Sequence, residues 1–119
     1  MKFSGKIVKL GDMVEEFIKE RMIIIFNEDA PDELAEISAI HNSNILKEDV
    51  KVGDTVLIGN LKYEVVAVGD GANKTLKELG HCTFKFKDSN IADLPGVINL
   101  KGDDLKELQI GYEISIYWI

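Results

Sequence analysis

One cysteine, two prolines, two histidines and a single tryptophan stand in a chain of 119 residues. The lone thiol, Cys82, excludes an internal disulfide and fits a reducing compartment. No apolar run is longer than Met22–Phe26, far short of the roughly 20 residues a membrane-spanning helix requires. The first residues scatter Lys2, Lys6 and Lys9 among polar positions and hold no apolar core of the secretory kind. A cytoplasmic protein with no segment inserted in a membrane is expected. Basic residues are also short, 14 Lys and Arg against 21 Asp and Glu, a formal charge of -7. That balance excludes a nucleic-acid binder, which needs a basic face, and suits a basic protein partner.

What is present is an ordinary globular composition. With 45% hydrophobic residues the chain can bury a core, and its length fits one domain, residues 1–119. Period-2 patterning dominates. Phe3, Gly5 and Ile7 alternate with Lys2, Ser4 and Lys6, and Arg21–Phe26 is a β-branched run suited to a strand covered on both faces. Residues 54–58 and 61–68 flank Gly59-Asn60 as a hairpin. Cys82, Phe84 and Phe86 share one face of a strand, and 97–101 and 113–118 complete roughly eight strands.

Helical signals are few. Asp12 is placed to cap a segment pairing Met13 with Phe17 and Val14 with Ile18, and Pro31 suits a first turn. Asn73 is placed to cap a helix that Gly80 ends, and Asp103–Leu108 is read as one more turn. Residues 50–58 and 108–116 share an apolar-x-apolar-Gly pattern, read as turns feeding strands. The fold class is mainly β: a small closed or nearly closed barrel of about six to eight short strands with a few short helices.

Chemistry, if there is any, rests on the two histidines. Imidazole alone among side chains can be a neutral nucleophile and a proton carrier near pH 7. His41 ends the apolar stretch Ile37-Ser38-Ala39-Ile40 and opens the polar turn Asn42-Ser43-Asn44, whose groups can hydrogen-bond a phosphoryl group. His81 follows Gly80 at a helix-to-strand junction. His41, His81 and Cys82 match no zinc spacing, and neighbours on a strand point to opposite faces, so no metal is expected. Cys82 alternates with two phenylalanines and reads as core. Gly69-Asp70-Gly71-Ala72 lacks the Gly-Lys-Ser/Thr ending of a nucleotide loop.

Several segments in order carry a resemblance: Ile7-Val8-Lys9-Leu10-Gly11, residues 27–34, Ile40-His41, Lys51-Val52-Gly53, residues 65–69, Leu76 to His81, and Asp93 to Ile98. Together they are similar to the glucitol/sorbitol-specific enzyme IIA of the bacterial phosphoenolpyruvate-dependent sugar phosphotransferase system, over nearly the whole chain. The resemblance implies a small β-barrel phosphocarrier that uses no cofactor. His41 would accept a phosphoryl group from the carrier HPr and pass it to the membrane-embedded sugar-specific enzyme II components; His81 is read as supporting it, with a structural cap after Gly80 or the acceptor itself as the alternatives. The alternative is a non-catalytic β-barrel binding or adaptor module. A working acceptor must meet its partner, so His41 is expected to be at least partly exposed at the barrel mouth. His81 is expected within one hydrogen bond or one water of it.

Overall fold

Alternating side chains close this chain on itself. In the computed structural model, which describes residues 1–119, eight strands form one closed barrel. They are β1 (Phe3–Leu10), β2 (Met22–Asn27), β3 (Ala39–His41), β4 (Thr55–Ile58), β5 (Leu61–Val68), β6 (Cys82–Phe86), β7 (Val97–Lys101) and β8 (Glu113–Tyr117). Three short helices lie in the connections: α1 (Val14–Lys19), α2 (Asp32–Ala35) and α3 (Ala72–Leu79). Around the barrel the order is β1-β3-β2-β6-β7-β5-β4-β8. The pairs β2·β3 and β6·β7 are parallel and all others antiparallel.

Every second residue fills the interior. Phe3 and Ile7, Ile23 and Ile25, Val56 and Ile58, Tyr63 and Val65, Cys82, Phe84 and Phe86, and Ile114 and Ile116 are all buried. Each large apolar side chain removed from water contributes about 1.5–3 kcal/mol before chain entropy is counted. Closure also leaves no free sheet edge.

The strand directions define two poles. One gathers the starts of β1, β4, β6 and β7 and the ends of β2, β3, β5 and β8. This pole carries α3 and the irregular segment 42–54. At the other, residues 102–112 bury Leu105 and Leu108, and α1 buries Val14 and Ile18.

Local structure differs from expectation in four places. Asp12 does not cap α1; Met13 stands at its N-cap, with no side-chain hydrogen bond. Asn73 lies inside α3, whose N-cap is Gly71. Its amide is instead spent on the 42–54 segment: Oδ1 accepts from the Val50 N–H at 2.7 Å, and Nδ2 donates to the Val50 carbonyl at 3.0 Å. Asp103–Leu108 forms no helix, because it is held by burial of its two leucines rather than by backbone ladders. Arg21, expected in a strand, turns with φ 63° just before β2 begins. Gly80 does end α3 in the left-handed region, at φ 61°.

A buried ion pair ties the first strand to the irregular segment. Lys2 and Asp54 are 1% and 2% exposed, and Lys2 Nζ lies 2.6 Å from Asp54 Oδ2. Lys2 Nζ also donates to the Asp49 carbonyl at 2.8 Å, and Asp54 Oδ2 accepts from the Lys51 N–H at 2.8 Å. Both charges are therefore hydrogen-bonded as well as paired, which burial demands.

Candidate functional site

β3 is short, and its three residues are all buried. His41 is the last of them, flanked by Ile7 on β1 and Asn27 on β2. Alternation puts its ring on the inward side with Ala39. The ring meets Phe3 edge-on, with centroids 5.2 Å apart. Two glycines make room for it. A Cβ on Gly5 would lie 3.1 Å from His41 Nδ1, and one on Gly80 would lie 2.7 Å from Cε1.

Both ring nitrogens are engaged by backbone. The Ser43 N–H donates to Nδ1 at 3.0 Å, and Nε2 lies 2.7 Å from the Gly80 carbonyl oxygen. An N–H can only donate and a carbonyl can only accept, so the proton sits on Nε2 and the lone pair on Nδ1. Burial pushes the His41 pKa below its ordinary value. The Gly80 carbonyl and the charge of Glu28 oppose that shift without cancelling it. The ring is therefore held neutral, in one tautomer and one orientation.

His81 follows Gly80 directly and is half-buried. Its Nδ1 lies 3.0 Å from the Ile25 carbonyl and donates to it, and its ring tilts against Phe26 at a centroid distance of 4.6 Å. In the neutral ring that leaves the lone pair on Nε2, which has no hydrogen-bond partner within the protein. The two histidines occupy one pole, joined through the Gly80–His81 segment rather than by a direct bond.

The turn residues divide. Asn42 is exposed and stitches the strand end to β1: its N–H donates to the Lys6 carbonyl at 3.2 Å, and its Oδ1 accepts from the Lys6 N–H at 2.9 Å. Ser43 is buried over the His41 ring, and Asn44 is exposed with its side chain unbonded.

The expected exposure of His41 is not met: it is 0% exposed. The Gly80 turn folds over one edge of the ring and the Ser43 backbone closes the other. The sequence signals a strand end running into a polar turn, but not that the turn doubles back onto the imidazole. The cradle of Gly5 and Gly80 was missed as well. Gly80 was legible only as a helix terminator, and nothing in the order of residues marks Gly5 as a neighbour of His41. Cys82 is buried as expected, and burial pushes its thiol pKa well up, which removes it from nucleophilic chemistry.

A closed eight-stranded barrel with its two histidines at one pole, one of them locked neutral by backbone groups, defines a small histidine-centred domain. The chain belongs to the glucitol/sorbitol-specific IIA components of the phosphotransferase system (PTS), whose family model matches residues 2–115. It is 35% identical over 100 residues to the PTS system glucitol/sorbitol-specific EIIA component of Shigella flexneri, covering 84% of this chain and 81% of the relative. The component of the same name from Escherichia coli K12 matches with the same identity and coverage. Among solved structures, the PTS system IIA component of Enterococcus faecalis V583 superposes with a TM-score of 0.86 at 26% identity, over 98% of this chain and 100% of that one.

Proposed function

We propose that residues 1–119 act as one cytoplasmic phosphocarrier domain that takes a phosphoryl group from HPr on His41. It would then deliver that group to the membrane-embedded enzyme II components that import glucitol. The observation that supports this best is the His41 ring itself: neutral, oriented by two backbone groups, and carrying its lone pair on a defined nitrogen. A neutral imidazole is what nucleophilic attack on phosphorus needs, and positioning supplies most of the rest. Cytoplasmic residence is part of this reading, since the domain must meet its donor there.

In the step itself the Nδ1 lone pair forms the new N–P bond while the donor's N–P bond breaks. That electron pair returns to the donor imidazole. The Nε2 proton stays on His41, shared with the Gly80 carbonyl, which faces the positive charge that develops on the ring. No metal is required by this balance. Because Ser43 covers Nδ1, transfer requires the turn at Ser43 and Asn44 to swing aside. The Ser43 N–H then turns from the nitrogen to a phosphoryl oxygen, with Asn42 and Asn44 beside it. His81 supports the reaction by holding the Gly80 turn in place.

One observation favours a second reading, in which His81 is the acceptor: its Nε2 is unbonded and the ring is partly open to solvent. In either case, incubation with phosphoenolpyruvate, the general phosphotransferase enzyme and HPr should add one phosphate by intact mass. That phosphate should survive base and be lost in acid, as a phosphoramidate is. A protein that takes up no phosphate is an adaptor barrel instead, and an acid-stable adduct moves the chemistry to a hydroxyl.

A further inference from the structure

Beside Ser43 the surface opens into a cavity of about 430 Å³ whose walls include Lys2, Ser4, Asn42, Ser43, Asn44 and Lys47. It contains no carboxylate. In a chain with 21 acidic residues that is notable, and four other cavities, of about 230 to 630 Å³, differ. Each is lined by at least one carboxylate, from Asp104 in the smallest to Asp12, Glu15 and Glu107 in one of the largest. The acid-free cavity is also the one that shares a wall with the histidine site, since Ser43 both lines it and donates to His41 Nδ1.

Its two lysines are not equivalent. Lys2 is neutralised by Asp54 at 2.6 Å and is itself buried. Lys47 is exposed and makes no ion pair, while its backbone N–H is fixed to the Lys2 carbonyl at 2.9 Å. The cavity therefore offers one uncommitted lysine on an anchored backbone, with the hydroxyls of Ser4 and Ser43 and the amides of Asn42 and Asn44 around it. That is the composition of a site for a compact dianion. A phosphate-sized group needs one cation and several donors, and a nearby carboxylate would repel it.

We propose that this cavity receives the phosphoryl group during transfer and that Lys47 is its cation, lying against the phosphoryl oxygens on the Nδ1 side of His41. The proposal rests on the phosphocarrier reading and deepens it. As the donor's N–P bond lengthens and the His41 N–P bond forms, negative charge stays on the phosphoryl oxygens. A fixed cation there stabilises the transition state without taking part in bond making. Lys47 is surface-exposed, so replacing it does not threaten the core.

The test is single-turnover transfer from phosphorylated HPr to wild type, Lys47→Gln and Lys47→Arg, each measured across donor concentrations. Lys47→Gln should lower the transfer rate at saturating donor by about tenfold, and Lys47→Arg should recover most of it. Lys62→Gln, on the exposed face of β5, should change nothing. A Lys47→Gln rate at saturation equal to wild type overturns the proposal, including the case where only the half-saturating concentration rises, which would make Lys47 a docking residue. Wild-type protein that accepts no phosphate overturns the phosphocarrier reading itself, so the two failures are distinguishable.

Discussion

A histidine kept dry stays neutral, and that has a consequence for stability as well as for chemistry. Burial lowers the His41 pKa from its ordinary 6.5. Above that value the ring is neutral in both folded and unfolded chains and pH has no purchase on it. As pH falls below it, the unfolded chain takes up a proton that the folded chain refuses, so stability drops until the folded pKa is also passed. Denaturation midpoints compared at about pH 7.5 and about pH 5.5 should fall more steeply in wild type than in His41→Gln. Equal slopes would mean that the ring is not buried in solution. Gly80 is tested at the same scale. Its φ of 61° and the 2.7 Å approach of a Cβ to His41 Cε1 leave no place for a side chain. Gly80→Ala should cost about 1–2 kcal/mol by denaturation for the left-handed backbone alone. It should also slow phosphate uptake, because the ring must shift from its Gly80 acceptor.

At the scale of elements, the strands were legible because one face of each is buried, and period 2 then marks the inward set: Phe3 and Ile7, Cys82, Phe84 and Phe86, Ile114 and Ile116. The turn at Gly80 was legible for a similar reason, since a positive φ after a helix selects glycine. What failed were readings that depend on distant partners. Asn73 has the right chemistry for a cap, yet its amide does better against both backbone groups of Val50, which no local window includes. Asp103–Leu108 has the spacing of a turn of helix, but its leucines close a barrel pole without one. The His41 position was legible; its burial was not, because its cover comes from residues 43 and 80.

In the proposed transfer the turn at Ser43 opens, while the Lys2–Asp54 pair clamps the far end of the 42–54 segment. Removing Asp54 leaves the buried Lys2 ammonium with the Asp49 carbonyl and the half-exposed Glu48 carboxylate at 3.6 Å, so Asp54→Ala should destabilise the protein by about 3 kcal/mol in a denaturation experiment. Lys2→Met with Asp54→Leu should recover most of that loss, because apolar neighbours of similar size need no partner. A negligible loss in Asp54→Ala would show that Glu48 takes over the pair or that Lys2 reaches solvent.

At the scale of the whole molecule, a closed barrel with no free edges is a rigid mount, and both histidines and the irregular 42–54 segment sit at one of its poles. On the proposed reading, the excess of acid over base suits brief contacts with a basic partner face, and the acid-free cavity would keep repulsion away from the transferred group. Two imidazoles stand at that pole, one locked and covered, one partly open. Phosphate uptake by His41→Gln separates them most directly, read by intact mass after incubation with phosphoenolpyruvate, the general phosphotransferase enzyme and HPr. His41→Gln, with an unchanged far-UV spectrum, should gain no phosphate, while His81→Gln should still gain one at a rate lowered about tenfold or more, as loss of a supporting group does. A folded His41→Gln protein that takes up a full phosphate would contradict the assignment and make His81 the acceptor.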